Sequence, residues 1–307
     1  MKCTCMNHIN ITVNDVSNGL RSLKPGKKDG LLNLFSNHLL YGTNRLFVLL
    51  SLLYSRIMSH GYCPREMLSG VITPIPKVKG TCSSENFRAI TLGNMIAKLL
   101  DIIILEKNQH ALETSQLQFG FKQGSSTTAC TFAVQETITY YNSQGSDVYC
   151  TLLDASKAFD RLEYVLLFRK LLCRKICPVV IRLLLYMYIH QFLCVKWNNS
   201  LSNCFSVTNG VKQGGVSSPR LFCIYVNELL DNLADCGIGC MIGQNYCGVF
   251  GYADDIILLS PSVGGMRKML DTCCKYAVKH KILFNPKKAR LCSSRVNRAI
   301  NLNQIFT

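Results

Sequence analysis

Asp254 and Asp255 stand side by side in the run Phe250, Gly251, Tyr252, Ala253, Asp254, Asp255, Ile256, Ile257, Leu258, Leu259, Ser260. Apolar and aromatic residues flank the pair on both sides, which predicts strand, tight turn, strand. Between Asp235 and Arg267 no other acidic residue occurs. Two adjacent carboxylates in an apolar hairpin repel each other and lose solvation unless a cation holds them. A hard divalent ion such as Mg²⁺ suits oxygen ligands of this kind. An Asp-Asp turn exposed to water is the plain alternative. A further carboxylate shifts the balance. Thr151, Leu152, Leu153 and Asp154 form a short apolar run ending in an acid, followed by Ala155, Ser156, Lys157, Ala158, Phe159 and Asp160. This pattern predicts a strand that delivers Asp154 at its tip and then turns into a helix. One carboxylate from a strand end and two from a hairpin turn make up a two-metal phosphoryl-transfer site. There one metal activates an attacking 3′-hydroxyl and the other stabilises a leaving pyrophosphate.

The rest of the chain must bring these distant acids together. Residues 31–60 read as helical, closed by Gly61. Residues 70–80 alternate as a strand does, and Pro74 and Pro76 within them suit an edge or a hairpin. Helices are expected over 91–112, 127–142, 163–190, 217–235 and 264–280, and strands over 148–153, 204–211 and 246–260. The alternation predicts an α+β fold. The charge-free stretch from Cys236 to Ala253 carries Gly237, Gly239, Gly243, Gly248 and Gly251. It reads as hairpin strands turning at 243–245 rather than as a membrane span.

Composition narrows the partner. With 34 basic and 18 acidic residues in 307, the formal net charge is +16. Such an excess favours a polyanion, most simply nucleic acid. The 17 cysteines are odd in number and irregular in spacing. Cys150, Cys223 and Cys247 stand in apolar runs as small core residues do. A disulfide framework is not expected in so large a chain without a secretory signal, so the compartment reads as reducing and intracellular. No apolar run is long enough for a membrane span.

At this point the chain resembles the reverse transcriptases of non-LTR retrotransposons. Tyr252-Ala253-Asp254-Asp255 looks like their catalytic turn, and Asp154 through Asp160 like the motif that supplies the first aspartate. Asn209-Gly210-Val211-Lys212-Gln213-Gly214-Gly215-Val216-Ser217-Ser218-Pro219 resembles a third motif. The segments from Val71 to Lys77, Asn86 to Leu92, Leu117 to Thr128 and Ile282 to Lys288 resemble four more, all in the family's order over about 60–290. The resemblance implies a right-hand polymerase with fingers and palm. Residues 1–60 would be a helical extension or linker, 61–145 fingers, 146–290 palm, and 291–307 the truncated start of a thumb.

The resemblance also implies roles. Asp154 and Asp254 would be the principal ligands of two Mg²⁺ ions, with Mn²⁺ as a substitute, and Asp255 a supporting carboxylate. Asp160 is expected to be a structural cap or pair. Phe159 would lie beneath the sugar of the incoming nucleotide, where a ring excludes a 2′-hydroxyl and selects dNTPs. Lys77 and Arg88 would clamp the triphosphate. Gln213 would hydrogen-bond to the substrate, and Gly214 would allow close backbone approach. Lys287, with Lys288 as the alternative, would protonate pyrophosphate as general acid. Tyr252 would pack near the primer end. Phe119 and Phe121 are open to two readings, template stacking or core.

The expected partners are an RNA template, a DNA primer or target DNA, and dNTPs, in a ribonucleoprotein of the nucleus or cytoplasm. Two departures stand out. Ser217 replaces the usual Leu or Ile, and Arg220 replaces the usual apolar residue after Pro219. Arg220 could face nucleic acid or mark decay in a genomic copy. Residues 289–307 do not supply a thumb, and no endonuclease or zinc knuckle accompanies the domain, so the chain reads as a fragment. The rival readings are an inactive RNA-binding remnant and a reverse transcriptase of the group II intron type.

Overall fold

The computed structural model describes residues 10–77, 83, 86–122, 124–285 and 290–294. The chain forms two compact units, each assembled from separate stretches: 1–112 with 164–218, and 113–163 with 219–307.

In the first unit, strand β1 (Ser69–Pro76) pairs antiparallel with β2 (Phe87–Gly93) over Gly70–Pro76. On its other side it runs parallel to β4 (Phe192–Trp197), but only over Ser69–Ile72. The strand is therefore internal to its sheet, not an edge. The Lys77 N–H donates to the Asn86 carbonyl at 2.7 Å, so odd-numbered residues here turn their N–H toward β2. Pro74 and Pro76 face the other way, past the stretch of β1 that pairs with β4, where a missing donor breaks no ladder bond. Short strands β5 (Ser200–Leu201) and β6 (Phe205–Ser206) complete this sheet. Of the expected strand 204–211 only Phe205 and Ser206 pair, because their partner β4 begins at Phe192, opposite Ser206; Gly210 at φ 81° then turns the chain away.

Helices α1 (Val13–Arg21), α2 (Ser36–Leu40), α3 (Asn44–His60) and α4 (Met95–Lys107) precede and follow the β1–β2 hairpin. Gly61 at φ 75° ends α3, as expected of a left-handed cap. The helix expected from 91 starts later, because residues 87–93 stay in β2 and Asn94 then caps α4 through the Ile96 and Ala97 N–H groups. The single helix expected over 163–190 is two, α6 (Tyr164–Cys173) and α7 (Pro178–Ile189). Lys175 at φ 61° and Pro178 in the first turn of α7 account for the break.

The second unit is a four-stranded antiparallel sheet in the order β11 (Arg290–Ser294), β3 (Val148–Asp154), β10 (Asp255–Ser260), β9 (Val249–Tyr252). Ile256 and Leu258 point to one face and pack with Leu229, Leu230 and Leu233 of α8 (Ser218–Asp235) and Met266 and Met269 of α9 (Val263–His280). Ile257 and Leu259 point to the other face, against Cys130, Val134 and Ile138 of α5 (Thr127–Ser143). Covering both faces is why β10 reads as an unbroken apolar run rather than an alternating one. Burying side chains of this size contributes roughly 1.5–3 kcal/mol each. Strands β7 (Met241–Ile242) and β8 (Asn245–Tyr246) form the expected small hairpin, with Gly243 at φ 60° in its turn. Among the described residues, no helix is long and apolar enough to cross a membrane.

Candidate active site

The sheet of the second unit delivers the acids. Strands β3 and β10 are antiparallel neighbours whose register places Asp154 directly opposite Asp255. On its other side Asp255 pairs with Tyr252, which leaves Ala253 and Asp254 as a two-residue loop. Ala253 is at φ 59° and Asp254 is not in the left-handed region. This is the φ pattern of a type II′ hairpin turn, whose twist matches that of its strands. Asp154, Asp254 and Asp255 are each half-buried at one end of the sheet. The expectation that these acids meet through the fold holds at the level of backbone register.

The donor set consists of carboxylate oxygens, which fits a hard divalent cation. Among the described residues, no three His, Cys, Asp or Glu side chains are gathered as a metal-binding cluster. The register therefore fixes which backbone positions face each other, while the carboxylate groups themselves are not drawn into a common centre.

The chain after Asp154 is held from its other side. Asn285 N–H donates to the Asp154 carbonyl at 2.8 Å, and Ser156 N–H to the Leu283 carbonyl at 2.8 Å. Lys157 at φ 49° then turns the chain into a short 3₁₀ helix, Ala158–Arg161. Within it Phe159 stacks on Phe222 of α8, with centroids 4.9 Å apart and planes at 16°. Phe121 meets the same ring edge-on at 6.3 Å. Phe121 is 50% exposed, whereas Phe119 packs against Phe250 in the core. The two phenylalanines that share one motif thus have different environments. Asp160 is exposed, and its N–H donates to the Lys157 carbonyl at 3.0 Å. Tyr252 packs on the α5 side of the sheet.

Arg220 lies half-buried one turn before Cys223. Burial pushes the Cys223 thiol up to about 12; Arg220 opposes this rise and Asp254 adds to it. The unusual arginine and a proposed ligand therefore act on the same buried thiol, which donates to the Gly120 carbonyl at 3.7 Å.

The first unit carries the other expected residues. Lys77 is exposed at the end of β1, and Arg88 is exposed on β2 opposite Ile75. The Gln213 carbonyl accepts the Thr91 N–H at 2.7 Å, which docks the glycine-rich loop onto β2. Gly214 is at φ 102°, and a Cβ there would come within 3.2 Å of the Thr91 carbonyl. Glycine is thus required at this close approach. Lys287 lies outside the described residues.

A half-buried charge cluster that no sequence motif announced also lies at this loop, formed by Asp101 and Lys212. Burial raises the Asp101 carboxyl to about 6, opposed by Lys212 and by a Ser217 hydroxyl that donates at 3.5 Å. Burial lowers Lys212, and Asp101 opposes that shift. Cys63 is pushed up to about 12 by burial, and Tyr188, 3.4 Å from Ser217 through its hydroxyl, is also raised by burial. The signal in the sequence was Asp101 interrupting the apolar run from Leu99 to Leu105.

The Asp101 shift has a testable consequence. Its folded pKa lies above the ordinary 3.8, so the folded chain keeps a proton that the unfolded chain has released. The stability this group adds is complete below about pH 4 and lost as pH rises through about 6. About two units correspond to about 3 kcal/mol. Urea unfolding should show the wild type losing up to about 3 kcal/mol relative to Asp101→Asn between pH 4 and 6. Parallel curves would mean that the Asp101 carboxyl is not raised in the folded chain.

A sequence profile described as reverse transcriptase (RNA-dependent DNA polymerase) matches residues 75–299. The Pol polyprotein of the R2 retrotransposable element of Nasonia vitripennis is 25% identical over 222 residues, covering 71% of this chain and 21% of that protein. The probable RNA-directed DNA polymerase of transposon BS of Drosophila melanogaster is 25% identical over 294 residues, covering 91% of this chain and 31% of that protein. The chain thus spans between a fifth and a third of these relatives. Among solved structures, apo telomerase of Candida tropicalis truncated from its C-terminal domain matches with a TM-score of 0.56 at 15% identity. That match covers 77% of this chain and 52% of the telomerase, a likeness of fold alone.

Proposed function

We propose, for a chain that belongs to the reverse transcriptase (RNA-dependent DNA polymerase) family, that it extends a DNA 3′ end on an RNA template while copying a non-LTR retrotransposon RNA. Its fold is the mixed helix-and-sheet fold of that family. The observation that carries the proposal is the register of β3 and β10, which sets Asp154 opposite Asp255 with Asp254 in the adjoining turn.

Asp154, Asp254 and Asp255 would hold the divalent ions, two Mg²⁺ in this reading. When bound, those ions supply positive charge for activating the primer 3′-hydroxyl and offsetting charge on pyrophosphate. The protein's own part is positioning. The β3–β10 ladder fixes the spacing of the acids, and Phe159, backed by Phe222, would lie under the deoxyribose. Lys77, Arg88, Gln213 and Gly214 would bind the triphosphate and the templating pair, with Lys287 as proton donor. The net charge of +16 suits a chain that works bound to RNA, in a ribonucleoprotein of the nucleus or cytoplasm.

The test is primer extension on an RNA template with an annealed DNA primer, dNTPs and Mg²⁺. Extension by the wild type that Asp254→Ala abolishes supports the proposal. Retained RNA binding with no extension would favour a non-catalytic RNA-binding role.

A further inference from the structure

We propose that Gln118 is a positioning residue that holds the Ala253–Asp254 turn in its metal-ready conformation through hydrogen bonds to both backbone groups of Ala253. The inference rests on the polymerase reading for its consequence, but not for its geometry.

Gln118 is 1% exposed, an unusual place for an amide side chain. Its Oε1 accepts the Ala253 N–H at 2.9 Å and the Gly120 N–H at 2.8 Å. Its Nε2 donates to the Ala253 carbonyl at 3.5 Å. One buried side chain therefore serves the donor and the acceptor of the loop residue just before Asp254. Ala253 needs such support, because at φ 59° it holds a left-handed backbone that alanine disfavours.

The position of Gln118 is itself fixed by the sheet. Phe119 N–H donates to the Gly251 carbonyl at 2.7 Å, and Gly251 N–H to the Leu117 carbonyl at 2.8 Å. Residues 117–119 thus lie along β9 as a short parallel strap, with Gln118 bridged to Gly251. The fit is close. A Cβ at Gly120 would come within 2.2 Å of the Ala253 nitrogen, and one at Gly251 within 3.1 Å of Gln118 Nε2. Both glycines leave room for the amide and the turn to meet.

A two-residue loop has few backbone states, and moving between them re-aims the Asp254 carboxylate. Removing the amide takes that partner from three buried backbone groups, the Ala253 N–H and carbonyl and the Gly120 N–H, and the turn can regain partners only by changing conformation. A residue that merely fills the core would alter stability without altering metal affinity.

The experiment measures Mn²⁺ binding to the full chain by electron paramagnetic resonance, alongside primer extension and thermal unfolding. Gln118→Met keeps the volume and removes the hydrogen bonds. It is expected to weaken Mn²⁺ binding about tenfold, in line with other groups that orient metal ligands. Gln118→Asn keeps a buried amide one methylene too short, and it should weaken binding in the same direction if the Met variant does not fold. Unchanged Mn²⁺ affinity in folded Gln118→Met or Gln118→Asn would overturn the proposal, whatever happens to stability. If the wild type binds Mn²⁺ but does not extend primers, the polymerase reading falls while the binding comparison still decides the role of Gln118.

Discussion

Asp154→Asn and Asp254→Asn are each expected to lower primer extension by at least about a thousandfold, the effect of losing about 4 kcal/mol of metal-dependent stabilisation. Asp255→Asn should cost less, about a hundredfold. The reasoning lies in the geometry and charge of the sheet end. Asp154 and Asp255 face each other across one ladder, and Asp254 adjoins them in the turn. Like charges at directly opposite ladder positions, Asp154 and Asp255, with Asp254 in the adjoining turn, disfavour one another, so the folded chain without cations carries an electrostatic cost there. Replacing one with a neutral amide should therefore leave the melting temperature in metal-free buffer unchanged or slightly higher. Activity lost together with unchanged or raised stability is the signature of a site residue. If activity and melting temperature fell in parallel, the acids would be structural, and the metal assignment would have to move elsewhere. Adding Mg²⁺ should raise the melting temperature of wild type more than that of either variant.

The acids were legible in the sequence because their neighbours were so uniform. Phe250 to Ser260 is apolar except around the turn, and an apolar strand ending in an acid stands out at Asp154. That they meet followed from chemistry, since the two segments are far apart in the chain. The register that brings Asp154 opposite Asp255 was not legible, because β10 is buried on both faces and lacks the alternation that normally sets register. The residues that hold the site were less visible still. Gln118 looks like any polar residue in an aromatic motif until its contacts with Ala253 are known. The half-buried Asp101 and Lys212 come from distant segments, and no periodicity links them. Helix ends marked by Gly61, Asn94 and Pro178 obeyed local rules. The expected strand 204–211 failed because its fate depends on where a partner strand stops and Gly210 turns the chain away.

Phe159→Val is expected to raise the efficiency of ribonucleotide use relative to deoxyribonucleotide use by about a hundredfold, a change of roughly 2–3 kcal/mol in discrimination. A ring beneath the sugar excludes the 2′-hydroxyl by volume, and valine would open that volume. A steric barrier works only if the ring cannot move aside. Phe159 is held by stacking on Phe222 at 4.9 Å and by the edge contact of Phe121 at 6.3 Å. Phe222 is 1% exposed on α8, so its ring is a fixed wall. Phe222→Leu removes the stacked face while keeping an apolar side chain. It should relax discrimination by a smaller factor, about five- to tenfold, without touching substrate. Single-nucleotide incorporation of dCTP and rCTP, compared as a ratio of kcat/KM, reads both variants. The order of effects is the critical part. A large change at Phe159 with a small one at Phe222 means a gate and its support. No change at Phe159 would place that ring in the core, and the choice between dNTPs and rNTPs would then have to be made by other residues.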